Sequence, residues 1–130
     1  MNGHRRRLLG EVFTPTTLVK QIVDSYVPEV LFNPNYTVLE PAVGDGRFLT
    51  YILHHRLLQS QDAQYVIQSL STLYGIDIQK DNVLKARNEL LKTMLLMAPK
   101  MFENQNIKEI IQYIIECNII HGCAITKRYA

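Results

Sequence analysis

The chain has 130 residues and a formal net charge of +2 at pH 7. This length fits one domain with a modest apolar core, and no apolar run is long enough to span a bilayer. There are only two cysteines, and the arginines at positions 5 to 7 are not followed by the apolar segment of a secretory signal. We therefore expect a cytoplasmic protein with reduced thiols and no membrane association. The small net charge does not indicate nucleic-acid binding, and we interpret the basic residues near both ends as solvated tails, with DNA contact as the alternative.

The amino-terminal part is predicted to be a flexible basic segment, residues 1–9, followed by a helix. Thr14 before Pro15 is typical of a helix start, because a hydroxyl can cap the first N–H groups and proline fits the first helical position. Apolar residues then recur at i,i+4 spacing until the helix ends near residues 28–31. Asn33-Pro34-Asn35 predicts a turn before the first strand.

Apolar runs and amphipathic periodicity predict alternating strands and helices along the rest of the chain. Strands are expected over residues 36–40, 72–77 and 118–122. Helices are expected over residues 46–59, 80–97 and around 107–115. Residues 60–71 are polar, and both a helical extension and a loop fit them. Strands that alternate with helices imply right-handed crossovers, so the sequence predicts an α/β fold with about three parallel strands and flanking helices.

The stretch from Val38 to Leu49 combines the features of a nucleotide-type ligand site. Glu40 stands where the first strand ends, and Gly44 and Gly46 permit a turn that a side chain would obstruct. The helix that follows offers N–H donors at its start. Leu49 occupies the place of the third glycine in the G-x-G-x-x-G pattern, and the next strand-end acid, Asp77, lies further away than in a dinucleotide fingerprint. Both departures disfavour NAD.

Four segments, in this order, resemble motifs of the adenine-N6 DNA methyltransferases of bacterial restriction–modification systems. Residues 10–15 (GEVFTP) resemble motif X, and residues 39–49 (LEPAVGDGRFL) resemble motif I. Residues 74–78 (YGIDI) and 118–124 (NIIHGCA) resemble motifs II and III. The resemblance covers roughly residues 10–126. It implies that residues 10–130 form an incomplete, Rossmann-like S-adenosylmethionine-dependent methyltransferase domain.

The resemblance also implies S-adenosylmethionine as the cofactor and gives each motif a role. Thr14 would bind the methionine carboxylate, and Glu40, with backbone groups of the turn, would hold the methionine end and its ammonium group. Asp77 would accept hydrogen bonds from both ribose hydroxyls, and Ile78 would pack on the adenine. The simpler alternatives are a helix cap for Thr14, a turn residue for Asp77 and a core residue for Ile78. The implied set is Phe13, Thr14, Glu40, Pro41, Ala42, Gly44, Asp45, Gly46, Asp77, Ile78 and Cys123.

Two departures from the family pattern bear on activity. Cys123 stands where the family has an acid that binds the adenine amino group, and a thiol is a weak hydrogen-bonding partner. The catalytic Asn/Asp-Pro-Pro-aromatic motif, which holds the flipped base in the family, is missing. Asn33-Pro34-Asn35-Tyr36 imitates it but precedes motif I, so we interpret it as the loop that feeds the first strand. We also interpret Cys117, His121 and Cys123 as ordinary fold residues rather than metal ligands.

The sequence therefore predicts the S-adenosylmethionine-binding portion of an adenine-specific DNA methyltransferase, without methyl transfer by this chain alone. The alternatives are a non-catalytic cofactor-binding or interaction module and a degenerate remnant. DNA would be reached only through a missing region or a partner. The family's sheet order would leave strand 36–40 as an exposed edge, so we expect self-association or a completing polypeptide along that edge.

Overall fold

The computed structural model describes residue 21, residues 28–123 and residues 128–129. The helix start predicted at Thr14 and Pro15 and the basic segment 1–9 lie outside the described residues. Within them, the helices are α1 (Pro28–Leu31), α2 (Arg47–Leu57), α3 (Ala63–Ser71), α4 (Lys80–Met97) and α5 (Gln105–Asn118). The strands are β1 (Val38–Glu40), β2 (Leu73–Asp77), β3 (Ile119–Cys123) and β4 (Arg128–Tyr129), and a 3-10 helix spans Pro99–Glu103.

The strands form one sheet in the order β1-β2-β3-β4. β2 pairs in parallel with β1 on one side and with β3 on the other, which confirms the predicted α/β fold with three parallel strands. The antiparallel partner β4 was not predicted. No other described strand pairs with the outer side of β1, so β1 lies at an edge of the described sheet, as expected from the sequence.

All the crossing helices lie on one face of the sheet. The chain moves in the same direction from β1 to β2 to β3, and right-handed crossovers therefore place α2–α3 and α4–α5 on the same side. The core between these helices and the sheet is apolar and closely packed. On the opposite face, Leu39 is 58% exposed, and Tyr74, its partner on β2, is 38% exposed.

The segment that was ambiguous in the sequence is a helix, α3. Asp62 caps it by accepting a hydrogen bond from the N–H of Tyr65 at 3.2 Å. Val66 and Leu70, at i,i+4 spacing, are both buried on its inner side. Two buried apolar residues were too few to outweigh the polar composition of residues 60–71, which is why the sequence left a loop open as an alternative.

A buried arginine, Arg56, connects several segments at the amino end of the sheet through hydrogen bonds. Its guanidinium donates to the carbonyl oxygens of Leu31 (2.8 Å), Tyr36 (3.0 Å) and Ser69 (3.1 Å) and to the hydroxyl of Thr72 (2.7 Å). Burial lowers the pKa of Arg56 to about 10, so the group is charged at neutral pH. The four bonds satisfy most of the donors of a guanidinium and join α1, the approach to β1, α3 and the start of β2.

Among the described residues, no helix has both the length and the apolar character needed to cross a membrane.

Candidate ligand-binding site at the carboxyl edge of the sheet

Three polar side chains lie at or near the carboxyl ends of the parallel strands, an edge of the sheet called here the carboxyl edge. Glu40 ends β1, Asp77 ends β2, and His121 on β3 pairs with Asp77. Glu40 pairs with Gly75, two residues before Asp77, so both carboxylates project to the same face. The two motif acids identified in the sequence are therefore neighbours at this edge.

The glycine-rich loop (residues 41–46) folds back over the end of β2. The N–H of Val43 donates to the carbonyl oxygen of Ile76 at 2.9 Å, as a further rung of the sheet. Gly44 and Gly46 have φ angles of 58° and 89°, in the left-handed region that favours glycine. A side chain at Gly46 would also meet the Cα atom of Ala86 on α4 at 3.0 Å. Packing against α4 thus explains Gly46 without any ligand.

The carboxylate of Asp77 holds this loop in place. Its Oδ2 accepts a hydrogen bond from the N–H of Gly44 at 2.9 Å. Its Oδ1 accepts one from the N–H of Gln79 at 2.8 Å and one from the side-chain amide of Asn82 at 3.3 Å. Only 8% of Asp77 is exposed. The turn role considered from the sequence is therefore present, and Asp77 also connects β2 to a loop 33 residues earlier in the chain.

Glu40 is a partly buried acid at the neighbouring strand end. Its Oε1 accepts a hydrogen bond from the N–H of Ala42 at 3.2 Å. Burial raises the pKa of Glu40 above the ordinary value of 4.5, and the bond from Ala42 opposes that shift. A cationic group placed beside Glu40 would favour its ionised form and so bind more tightly once the carboxyl has lost its proton.

Four N–H groups of the glycine-rich loop, including that of Val43, donate within the protein. That of Ala42 donates to Glu40, that of Gly44 to Asp77, and that of Gly46 to the carbonyl oxygen of Val43 at 3.0 Å. An ammonium group needs acceptors, so the role predicted for these backbone groups falls to their carbonyl oxygens. The loop and the two acids together present acceptors and negative charge.

The remaining predicted residues differ in their surroundings. Ile78 is 60% exposed just beyond β2, which rules out the core alternative for this side chain. Asp45 forms an ion pair with Arg47 at 2.9 Å, and Pro41 is exposed. Cys123 is partly buried at the end of β3. Phe13 and Thr14 lie outside the described residues.

Sequence reasoning missed two residues that shape the site. Asn82 is fully buried in the first turn of α4 and donates to Asp77, a role signalled only by an amide on the inner face of a helix. The ring Nε2 of His121 lies 3.0 Å from the carbonyl oxygen of Ile78 and so anchors the segment after Asp77. No group of three or more His, Cys, Asp and Glu side chains suited to a metal ion occurs in the part of the chain that the structure describes.

The loop that imitates the catalytic motif lies at the other end of the sheet. Asn33 accepts a hydrogen bond from the N–H of Asn35 at 2.9 Å, so these residues form the predicted turn before β1. They line a surface cavity of about 480 Å³ together with Tyr65 and Gln68. This cavity is distant from Glu40 and Asp77 because it lies at the amino ends of the strands. Two further cavities with described linings lie between helices, away from the glycine-rich loop.

No family model matches the chain, and comparisons with curated proteins and with solved structures find no match either, so the function has to be inferred from the geometry of the site.

Proposed function

We propose that the carboxyl edge binds S-adenosylmethionine and that the chain is the cofactor-binding portion of an adenine-N6 DNA methyltransferase. The observation that carries this proposal is the meeting of two carboxylates, Glu40 and Asp77, with a glycine-rich loop in which the N–H groups of Ala42, Gly44 and Gly46 donate within the protein. Phosphate-binding loops work in the opposite way, by directing free N–H groups at an anion. An edge rich in acceptors and negative charge favours a ligand with cationic and hydroxyl donors.

S-adenosylmethionine has those donors. Its methionine end carries an ammonium group, which suits the half-buried carboxylate of Glu40. A ribose hydroxyl can donate to Asp77, and the exposed side chain of Ile78 offers an apolar surface for the adenine. When bound, the cofactor supplies a methyl group on a positively charged sulfur. The residues of this chain bind and orient that donor.

The proposal does not extend to methyl transfer by this chain alone. The sequence has no Asn/Asp-Pro-Pro-aromatic motif to receive a flipped base. Its one imitation, at Asn33 to Tyr36, lies at the amino end of the sheet. The rest of the active site and the contact with DNA would come from another polypeptide or region, joined along the open edge of β1.

One observation favours a second candidate, an interaction module without a cofactor. β1 is unpaired on its outer side among the described strands, and Leu39 and Tyr74 are exposed on the face away from the helices. Since Asp77 already has structural partners, this acid would be needed for folding even if no ligand were bound. The two candidates differ in whether the carboxyl edge binds a small molecule.

Isothermal titration calorimetry with S-adenosylmethionine and S-adenosylhomocysteine tests the proposal. We expect saturable binding of both by the wild type and at least about tenfold weaker binding by Glu40→Gln, which loses a charge-assisted contact. Glu89→Gln is the matched control, because that exposed acid pairs with Lys92 on α4 and should leave affinity nearly unchanged. NADH serves as an anionic comparison ligand and should not bind. A folded wild-type protein that gives no heat with either ligand would leave the interaction module as the better function.

A further inference from the structure

We infer that Asp77 accepts a hydrogen bond from only one of the two ribose hydroxyls of an adenosyl ligand. Removing that hydroxyl therefore weakens binding, whereas removing the other does not. The inference rests on the proposed function. It departs from the two-hydroxyl contact that the sequence motif implies. The reason is the set of partners that the carboxylate already has.

The acceptor capacity of Asp77 is nearly used within the protein. An ionised carboxylate offers about four lone-pair positions. Gln79 and Asn82 occupy both positions of Oδ1, and Gly44 occupies one position of Oδ2. One position on Oδ2 is left. The small exposed fraction of the residue, 8%, agrees with a single opening towards solvent.

The protein donors are held too firmly for a ribose to displace them. Gly44 lies between Val43, which donates to the carbonyl oxygen of Ile76, and Gly46, which packs on Ala86. The N–H of Gln79 is fixed where α4 begins. The side chain of Asn82 is fully buried in the first turn of that helix. Moving any of the three donors away would separate a shielded N–H from its acceptor, and that costs more than a hydrogen bond to a second hydroxyl returns. The second hydroxyl therefore remains in water or finds a partner other than Asp77.

Deoxy analogues of S-adenosylhomocysteine separate one contact from two. In calorimetric titrations of the wild type, we expect one of the 2′-deoxy and 3′-deoxy analogues to bind within about twofold of the parent and the other about tenfold more weakly. Asp77→Asn, checked for folding by circular dichroism, should remove that difference between the analogues. Asp62→Asn, the control, should retain it, because Asp62 only caps the start of α3.

The other outcomes each contradict the inference in a recognisable way. Equal losses for both analogues would mean that Asp77 contacts both hydroxyls. Unchanged affinity for both would mean that Asp77 contacts neither. Failure of S-adenosylhomocysteine itself to bind would instead reject the proposed function and, with it, the inference.

Discussion

Asp77→Asn keeps the size of the side chain but replaces one acceptor oxygen by an NH2 donor. In the wild type, the carboxylate accepts three hydrogen bonds, two on Oδ1 and one on Oδ2. If the asparagine oxygen keeps the two bonds from Gln79 and Asn82, its NH2 group faces the N–H of Gly44. One charge-assisted bond is then lost, at about 1.5–3 kcal/mol, and the other two weaken because the acceptor is neutral. The lower cost of burying an amide offsets part of this. We expect the free energy of unfolding to fall by about 2–4 kcal/mol.

Urea unfolding at pH 7 without ligand, followed by circular dichroism, measures this loss. Asp62→Asn is the matched control, since Asp62 is an exposed cap with a single bond to an N–H and asparagine caps helices equally well. That variant should stay within about 0.5 kcal/mol of the wild type. An Asp77→Asn variant as stable as this control would refute the structural role of Asp77. The result also decides how binding data are interpreted, because a destabilised variant can lose affinity without having lost a ligand contact.

Three further outcomes are expected. Burial raises the pKa of Glu40, so the folded protein holds this proton more tightly than the unfolded chain, and the free energy of unfolding falls as the pH rises from about 4.5 through the pKa of the folded state. In urea unfolding, Glu40→Gln should therefore be more stable than the wild type at pH 7 but not at pH 4. Arg56→Met removes four hydrogen bonds and should cost about 3–5 kcal/mol, against less than about 1 kcal/mol for Arg47→Met, whose ion pair is partly exposed. Leu39→Lys should reduce concentration-dependent self-association in light scattering and leave unfolding unchanged, because that side chain is mostly exposed on the edge strand; equal association would argue against the β1 edge.

The elements with strong periodicity were predictable from the sequence. α4 begins and ends where the stripe of Val83, Ala86, Leu90 and Met94 predicts, and all four side chains are buried. The strand ends were marked by an apolar run that stops at an acid, which is why Glu40 and Asp77 were placed correctly. These signals are local, so neighbouring residues suffice to detect them.

The interactions that define the site were less predictable, because they join distant parts of the chain. The bond between Gly44 and Asp77 spans 33 residues, and nothing near either residue indicates it. Arg56 lies on the same helical stripe as Leu49 and Leu53, which would have placed it inward, but its polarity argued for solvent. Its acceptors, three carbonyl oxygens and a hydroxyl, come from separate elements and carry no sequence signal of their own.

The bond between Gly44 and Asp77 also determines how the fold and the proposed ligand depend on each other. The same carboxylate holds the glycine-rich loop and would face the ribose of the proposed ligand, so binding would require the closed loop. A ligand that binds only this closed state stabilises the whole fold by an amount that rises with the logarithm of its concentration once that exceeds the dissociation constant. Since the donors around Asp77 are already in place without a ligand, binding needs little reorganisation of the loop and little of the binding energy is spent on ordering it. The N–H groups of Ala42, Gly44 and Gly46 are satisfied and the two carboxylates can still accept, which is the arrangement that the proposed donor-rich, cationic ligand would require before it binds.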